Sequence, residues 1–296
     1  MTVILDGKAV SDKILLELKI AVAAALETTG KDPGLAVILV GNNAASRTYV
    51  EAKKKACHEV GIMSFEYKLS VTDGQAVLEK LIDHLNADAE VHGILLQLPL
   101  PDGFDEQAVL QRIHPDKDVD GFHPFNMGRL AIGLPALQPC TPAGIMKLLE
   151  HYQIATEGKH VVIVGRSNIV GKPIGLMLVQ NNKNANATVT ICHSKTPDIG
   201  AITRQADILI AAVGKPEFIT ADMVKPGATI IDVGINRVPA ETKAGYKIVG
   251  DVHFEDVYPL VDAITPVPGG VGKMTIATLM ATTLQTFRKQ EGLPSA

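Results

Sequence analysis

"HVVIVGRSNIVGKPIG", His160 to Gly175, reads as an apolar strand running into a glycine-rich turn and then a helix. In the dinucleotide-binding plan, glycines at such a turn let backbone approach a pyrophosphate, while the helix N-terminus supplies N–H groups and positive dipole. Gly165, Gly171 and Gly175 do not reproduce G-x-G-x-x-G, so a glycine turn without a ligand stays open as a reading. The next strand, "ATVTICHSKT", decides between cofactors. An NAD enzyme places Asp or Glu on the ribose hydroxyls there; this chain offers His193, Ser194 and Lys195. With Arg166, these neutral and cationic groups accommodate a 2′-phosphate and favour NADP, although Asp198 stands nearby.

The same alternation extends in both directions. "LAVILV" (35–40), "GILLQLPL" (93–100), "ATVTIC" (187–192), "DILIAAVG" (207–214) and "ATIIDVG" (228–234) are short apolar runs separated by amphipathic segments. Such a pattern predicts an α/β protein with buried parallel sheets. Residues 98–142, rich in Pro, Gly and charge, read as loops crossing from one sheet to the next. A helix is expected at "CTPAGIMKLLEHY", with Thr141 as N-cap and Pro142 at its first position. The closing "GGVGKMTIATLMATTLQTFRKQ" predicts a glycine loop and a helix through about Lys289.

At 296 residues, 46% of them hydrophobic and 20% charged, the chain has room for two ordinary globular domains. Its net charge of −4, without an extended basic block, disfavours nucleic acid and anionic membranes as partners. A small-molecule substrate is the better expectation. Cys57, Cys140 and Cys192 lie far apart, without metal-ligand spacing, which argues against structural zinc or a disulfide frame. The N-terminus lacks a signal pattern, and no apolar run approaches the ~18 residues that span a bilayer. A cytoplasmic location is expected.

"SRTYVEAKKKACHEVG", Ser46 to Gly61, carries three consecutive lysines on a helical pattern. At about 100° per residue, Lys53 falls with Ser46, Tyr49, Val50, Ala56, Cys57 and Val60 on the apolar side. Lys54 and Lys55 fall opposite, with Glu51 and His58; Lys55 is placed to pair with Glu51 four residues earlier. Lys53 can snorkel from the rim of this face. Alternatively, as an amine withdrawn from water beside Ser46 and Tyr49, it can act as a general base.

Taken together, "SRTYVEAKKK", "LLQLPLP", "DKDVDGFHP", "VGRSNIVGKP", "DVGIN" and "TPVPGGVGKMT" resemble, in order and spacing, the bifunctional methylenetetrahydrofolate dehydrogenase/methenyltetrahydrofolate cyclohydrolase family. The resemblance covers nearly the whole chain. It implies two α/β domains flanking a cleft, the second a Rossmann-like dinucleotide-binding domain. Residues 1–140, completed by the C-terminal helix 272–296, would bind folate and carry the chemistry, and residues 141–271 would bind NADP. The implied reaction of one-carbon metabolism is oxidation of 5,10-methylenetetrahydrofolate by NADP⁺, followed by hydrolysis of the methenyl product to 10-formyltetrahydrofolate. The protein would act as a homodimer joined through the cofactor domain, with no metal.

By the same resemblance Lys53 is the base of the hydrolysis, Tyr49 shapes the folate pocket, Gln97 hydrogen-bonds the lysine, and Leu98 lines the substrate site. Asp120 matches the carboxylate that recognises the pterin, a role its two acceptor oxygens suit. Without the resemblance it reads as a loop aspartate capping a turn. Gly165, Arg166, Ser167, Ser194 and Ile235 match cofactor contacts, and Pro268, Gly269 and Gly270 a substrate-facing loop. Position 273 departs from the family's usual "PGGVGPMT": Lys273 replaces proline, losing a rigid φ and adding a cation. Two other readings compete. An NADP-dependent dehydrogenase of another small substrate, such as a shikimate-type oxidoreductase, explains only the second half. A non-catalytic NADP-binding sensor leaves Tyr49, Lys53 and Gln97 unexplained.

Overall fold

The apolar runs become strands, most of them buried on both faces while residues 188–192 are partly exposed, and the computed structural model describes residues 1–242 and 245–294. The chain opens with β1 (Val3–Ile4), α1 (Gly7–Thr29), β2 (Gly34–Val40), α2 (Ala44–Val60), β3 (Met63–Leu69), α3 (Gln75–Ala87) and β4 (Gly93–Leu96). Three helices follow: α4 (Glu106–Arg112), α5 (Pro124–Ala131) and α6 (Cys140–His151). Next come β5 (His160–Val164), α7 (Gly171–Leu178), β6 (Thr188–Cys192), α8 (Ile199–Thr203), β7 (Ile208–Ala211) and β8 (Thr229–Asp232). The chain continues through β9 (Asn236–Pro239), β10 (Tyr246–Val249), α9 (Phe254–Val257), β11 (Ala263–Ile264) and α10 (Val271–Gln290). Of the expected 272–296 segment, residues 295 and 296 lie outside the described residues.

Two compact units result. The first comprises residues 12–129, 134–140 and 276–296, and its parallel sheet runs in the order β3-β2-β4. Leu35, Val37 and Leu39 of β2 pack on one side with Val50, Cys57 and Val60 of α2 and with Leu284 and Phe287 of α10. Ala36, Ile38 and Val40 pack on the other with Leu78, Ile82 and Leu85 of α3. That division is the period of two expected of a strand with both faces covered.

The second unit comprises residues 1–11, 130–133 and 141–275. Its parallel sheet has the order β1-β11-β8-β7-β5-β6, so the strand sequence reverses at β5. In an open parallel sheet, the crevice at such a reversal, outside the strands' carboxyl ends, is where a dinucleotide binds. A separate antiparallel pair, β9 with β10, follows β8.

Three expectations change. The 98–142 segment is not all loop: it contains α4, started by Asp105, whose Oδ1 accepts the N–H of Ala108 at 3.0 Å, and α5, which begins with a proline. Helix α6 starts one residue before the expected cap, at Cys140, and Thr141 Oγ1 instead meets Thr275 Oγ1 at 2.9 Å. Pro142 still fits, because a first-turn residue needs no intrahelical donor. Strand β4 stops at Leu96 rather than running through residue 100.

Candidate active site

In the first unit, Asn43 starts α2: its Oδ1 accepts the N–H of Ser46 at 3.1 Å. The start sets the phase of everything after it. Ser46, Val50, Lys53, Ala56, Cys57 and Val60 are buried, whereas Glu51, Lys54, Lys55 and His58 are exposed. Lys53 is only 9% exposed, and its Nζ donates to Gln97 Oε1 at 3.0 Å. Its neighbours turn to surface carboxylates. Lys54 pairs with Glu66 at 3.4 Å, and Lys55 pairs with Glu59 at 3.8 Å, not with the expected Glu51. Both acids lie four residues from Lys55, so the helix face offers either. Tyr49 lies toward the edge of the buried face and is 38% exposed.

Gln97 is held at both ends of its amide. Its backbone N–H donates to Ile38 O at 2.9 Å, extending the β2–β4 ladder, and Nε2 donates to Leu98 O at 2.7 Å. Only Oε1 then remains for the lysine, which fixes the amide's orientation. Asp120 joins this group electrostatically: burial raises its carboxyl pKa, opposed by the nearby Lys53 charge, raised further by Asp118 and opposed by a hydrogen bond from Cys140. Burial also raises the Cys140 thiol well above its ordinary value, and Asp120 raises it further.

The motif "DKDVDG" contains two structural residues that sequence reasoning passed over. Lys117 Nζ donates to Leu85 O at 3.0 Å and Asp88 O at 2.7 Å, closing the C-terminus of α3. Asp118 accepts from the N–H of His123 at 2.8 Å and from Asn126 Nδ2 at 2.9 Å, bracing the loop that carries Asp120. A buried lysine or aspartate needs partners, and the burial of these two arises only in the fold.

In the second unit, β5 delivers Gly165 into the turn with φ of 135°. A Cβ there would lie 2.1 Å from Ala212 O, and one on Gly171 would lie 2.2 Å from Gly165 O. Glycine is needed at 165 for both conformation and contact. The helix N-terminus differs from expectation. Ser167 Oγ accepts the N–H groups of Val170 and Gly171 at 3.1 and 3.3 Å, Ser167 O accepts that of Lys172 at 3.1 Å, and Pro173 has none. The first-turn donors of α7 are therefore engaged within the chain. Ser167 and Arg166 beside it are exposed.

At the end of β6, Ser194 and Lys195 are exposed and His193 is half-buried, while Asp198 is otherwise occupied: its Oδ1 accepts the N–H of Ala201 at 3.1 Å and caps α8. Ile235 follows β8, and a Cβ on Gly272 would lie 3.1 Å from its Cδ1. The Pro268–Gly270 loop is seated on the chain's beginning, where Lys8 N–H donates to Gly269 O at 2.8 Å. Lys273 is exposed, and its N–H donates to Gly270 O at 3.2 Å, a tie that proline could not make.

Residues 5–120 match the family model described as the tetrahydrofolate dehydrogenase/cyclohydrolase catalytic domain. Residues 139–291 match that family's NAD(P)-binding domain. The bifunctional protein FolD of Nitratidesulfovibrio vulgaris (strain DP4) is 54% identical over 290 residues, covering 98% of this chain and 99% of the relative. The solved structure of bifunctional FolD from Campylobacter jejuni is 51% identical, with a TM-score of 0.92 over 98% of this chain and 99% of that one. The Trypanosoma brucei dehydrogenase-cyclohydrolase, solved with NADP cofactor and inhibitor, is 39% identical, with a TM-score of 0.93 over 97% and 98%.

Proposed function

The chain belongs to the tetrahydrofolate dehydrogenase/cyclohydrolase family, and from that premise we propose which residues carry its chemistry. It oxidises 5,10-methylenetetrahydrofolate with NADP⁺ and hydrolyses the 5,10-methenyl product to 10-formyltetrahydrofolate. Folate chemistry is assigned to the unit that holds Lys53, Gln97 and Asp120, and cofactor binding to the unit built on β5.

The residues at the β5 crevice suit NADP. The glycine at 165 admits a close backbone approach, Ser167 offers a hydroxyl donor to a pyrophosphate oxygen, and Arg166, Ser194 and Lys195 suit a 2′-phosphate. Bound NADP⁺ supplies the hydride acceptor. Ile235 would present an apolar surface to its nicotinamide end, and Pro268, Gly269 and Gly270 are proposed as a substrate-facing loop. Loss of hydride from a carbon between two nitrogens needs alignment but no proton transfer.

Hydrolysis does need one. Water attacks the methenyl carbon and Lys53 takes one of its protons; as the carbon–ring nitrogen bond breaks, the ammonium returns that proton to the departing nitrogen, and the adduct's hydroxyl loses its own proton to solvent to become the formyl carbonyl. Gln97 engages one Nζ–H and so directs the rest of the amine, while Asp120 accepts pterin N–H groups and Tyr49 and Leu98 shape the pocket. The observation that carries this reading is the selective burial of Lys53 against Gln97, with Lys54 and Lys55 left in solvent. The test follows NADPH and methenyltetrahydrofolate separately by absorbance, starting from methylenetetrahydrofolate and NADP⁺. Both should form and the methenyl species should then decay; folded protein that turns over neither folate would refute the assignment.

A homodimer formed through the cofactor-binding unit is also proposed. Edge strand β6 carries Ile191, 38% exposed, and Val179 just after α7 is 57% exposed, so this edge offers apolar surface beside unpaired backbone. Sedimentation giving twice the monomer mass supports it, and a monomer at micromolar concentration refutes it. Three free, buried cysteines support a cytoplasmic location, and among the described residues no helix is long and apolar enough to cross a membrane.

A further inference from the structure

Two buried carboxylates in the second unit have no part in the chemistry above. Asp232 ends β8 and Asp251 follows β10. Asp232 Oδ1 accepts the N–H groups of Gly234 and Asp251 at 2.9 and 2.8 Å, and its Oδ2 accepts that of Val252 at 3.0 Å. Asp251 Oδ2 accepts the N–H groups of Val213 and Gly214 at 2.6 and 2.8 Å, and its Oδ1 accepts from Asn236 Nδ2 at 2.9 Å. The fit is reciprocal. A Cβ on Gly234 would lie 2.3 Å from Asp251 Oδ1, and one on Gly250 would lie 1.7 Å from Asp232 Oδ2.

All these donors are neutral. Burial first, and the Asp251 charge after it, push the Asp232 carboxyl up to about 7 against the pull of its three N–H partners. Among the described residues no cation pairs with these two neighbouring buried acids, an arrangement that is a poor way to gain stability; apolar packing would serve better. What they provide is geometry. Asp251 joins the turn after β7 to the turn after β8, and Asp232 holds Asp251 in place.

Those two turns lie at the carboxyl ends of adjacent strands, next to β5 and on its far side from β6. With the 2′-phosphate end at His193–Lys195 beyond β6, the nicotinamide end falls over β7 and β8. Ile235, between Gly234 and Asn236, is 45% exposed at that position. We propose that Asp251 is a positioning residue for hydride transfer, clamping the Val213–Gly214 turn to Asn236 so that the backbone bearing Ile235 is fixed against the nicotinamide end of NADP. The inference rests on the cofactor placement proposed above.

The test uses full-length Asp251→Asn, which keeps the shape of the side chain. Misplacement of a reacting group by about 1 Å costs up to ~100-fold in rate, so dehydrogenase kcat should fall about tenfold or more and KM for NADP⁺ should rise. Hydrolysis of methenyltetrahydrofolate without cofactor should stay within about twofold of wild type, a split that general loss of structure would not produce. Unchanged dehydrogenase kinetics, or parallel loss of both activities, overturns the proposal. Should Asp251→Asn not fold, Asn236→Ala decides: it keeps Asp251 but removes one end of the clamp. KM for NADP⁺ should rise there with hydrolysis unaffected, and an unchanged KM overturns the proposal. Arg166→Ala separates the two levels. If it raises KM for NADP⁺ and Asp251→Asn does not, the clamp alone fails; if neither does, the cofactor placement fails with it.

Discussion

Lys53 and Gln97, 44 residues apart in sequence, meet at 3.0 Å because α2 turns one lysine of three inward and β4 ends one residue before the glutamine. The amide has no freedom to reverse, since its nitrogen already donates to Leu98 O. The contact thus constrains an amine through a backbone ladder.

Gln97→Leu should leave that amine buried without its acceptor. Cofactor-free hydrolysis of methenyltetrahydrofolate should fall about a hundredfold, within the range for losing a well-placed acid or base. KM for NADP⁺ should stay near the wild-type value. Equal losses in KM for NADP⁺ and in hydrolysis would mean that Gln97 acts as a general structural residue.

Lys54→Met and Lys55→Met remove only long pairs made by exposed lysines. Both activities should be unchanged, and melting temperatures should stay within about 2 °C of wild type. A large loss of hydrolysis in either variant would show that helical phase selects the wrong lysine.

His92 makes stability depend on pH. Its Nδ1 accepts the N–H of Gly34 at 2.9 Å, and the edge-on Phe287 ring lies 4.7 Å away. Burial lowers its pKa below the ordinary 6.5, against the nearby Glu291 carboxylate. The unfolded chain therefore binds this proton first. Stability is unaffected above about 6.5 and declines as pH falls below it, until the folded imidazole also protonates. Burial-raised Asp118, Asp120 and Asp232 slope the other way, so the measurement is a difference. Between pH 7 and 5, wild type should lose more melting temperature than His92→Asn, which keeps an acceptor for Gly34. Equal slopes would remove His92 from the account.

How much of this the sequence discloses depends on the range of the interaction. The phase of Lys53 follows from α2 alone and is legible at a period of 3.6. The strand runs around Ile38 and Ile163 are likewise local, since burial on both faces leaves no alternation to confuse. Asp105 and Pro124 marked α4 and α5 by ordinary start signals, yet the surrounding Pro, Gly and charge masked them. The Asp232–Asp251 lock was illegible. Its halves lie 19 residues apart, and the need for Gly234 and Gly250 arises only when each carboxylate occupies the other's missing side chain. The occupancy of the α7 start was illegible for a related reason: the N–H groups of Val170 and Gly171 are taken by the Ser167 hydroxyl oxygen, a contact that only the folded turn creates.

The assignment of Lys53 as the hydrolytic base is tested most directly by Lys53→Met, assayed for cofactor-free hydrolysis of methenyltetrahydrofolate beside a direct measurement of NADP⁺ binding. The variant should lose at least about a hundredfold in hydrolysis and bind NADP⁺ as wild type does. Undiminished hydrolysis by the folded variant would contradict the assignment.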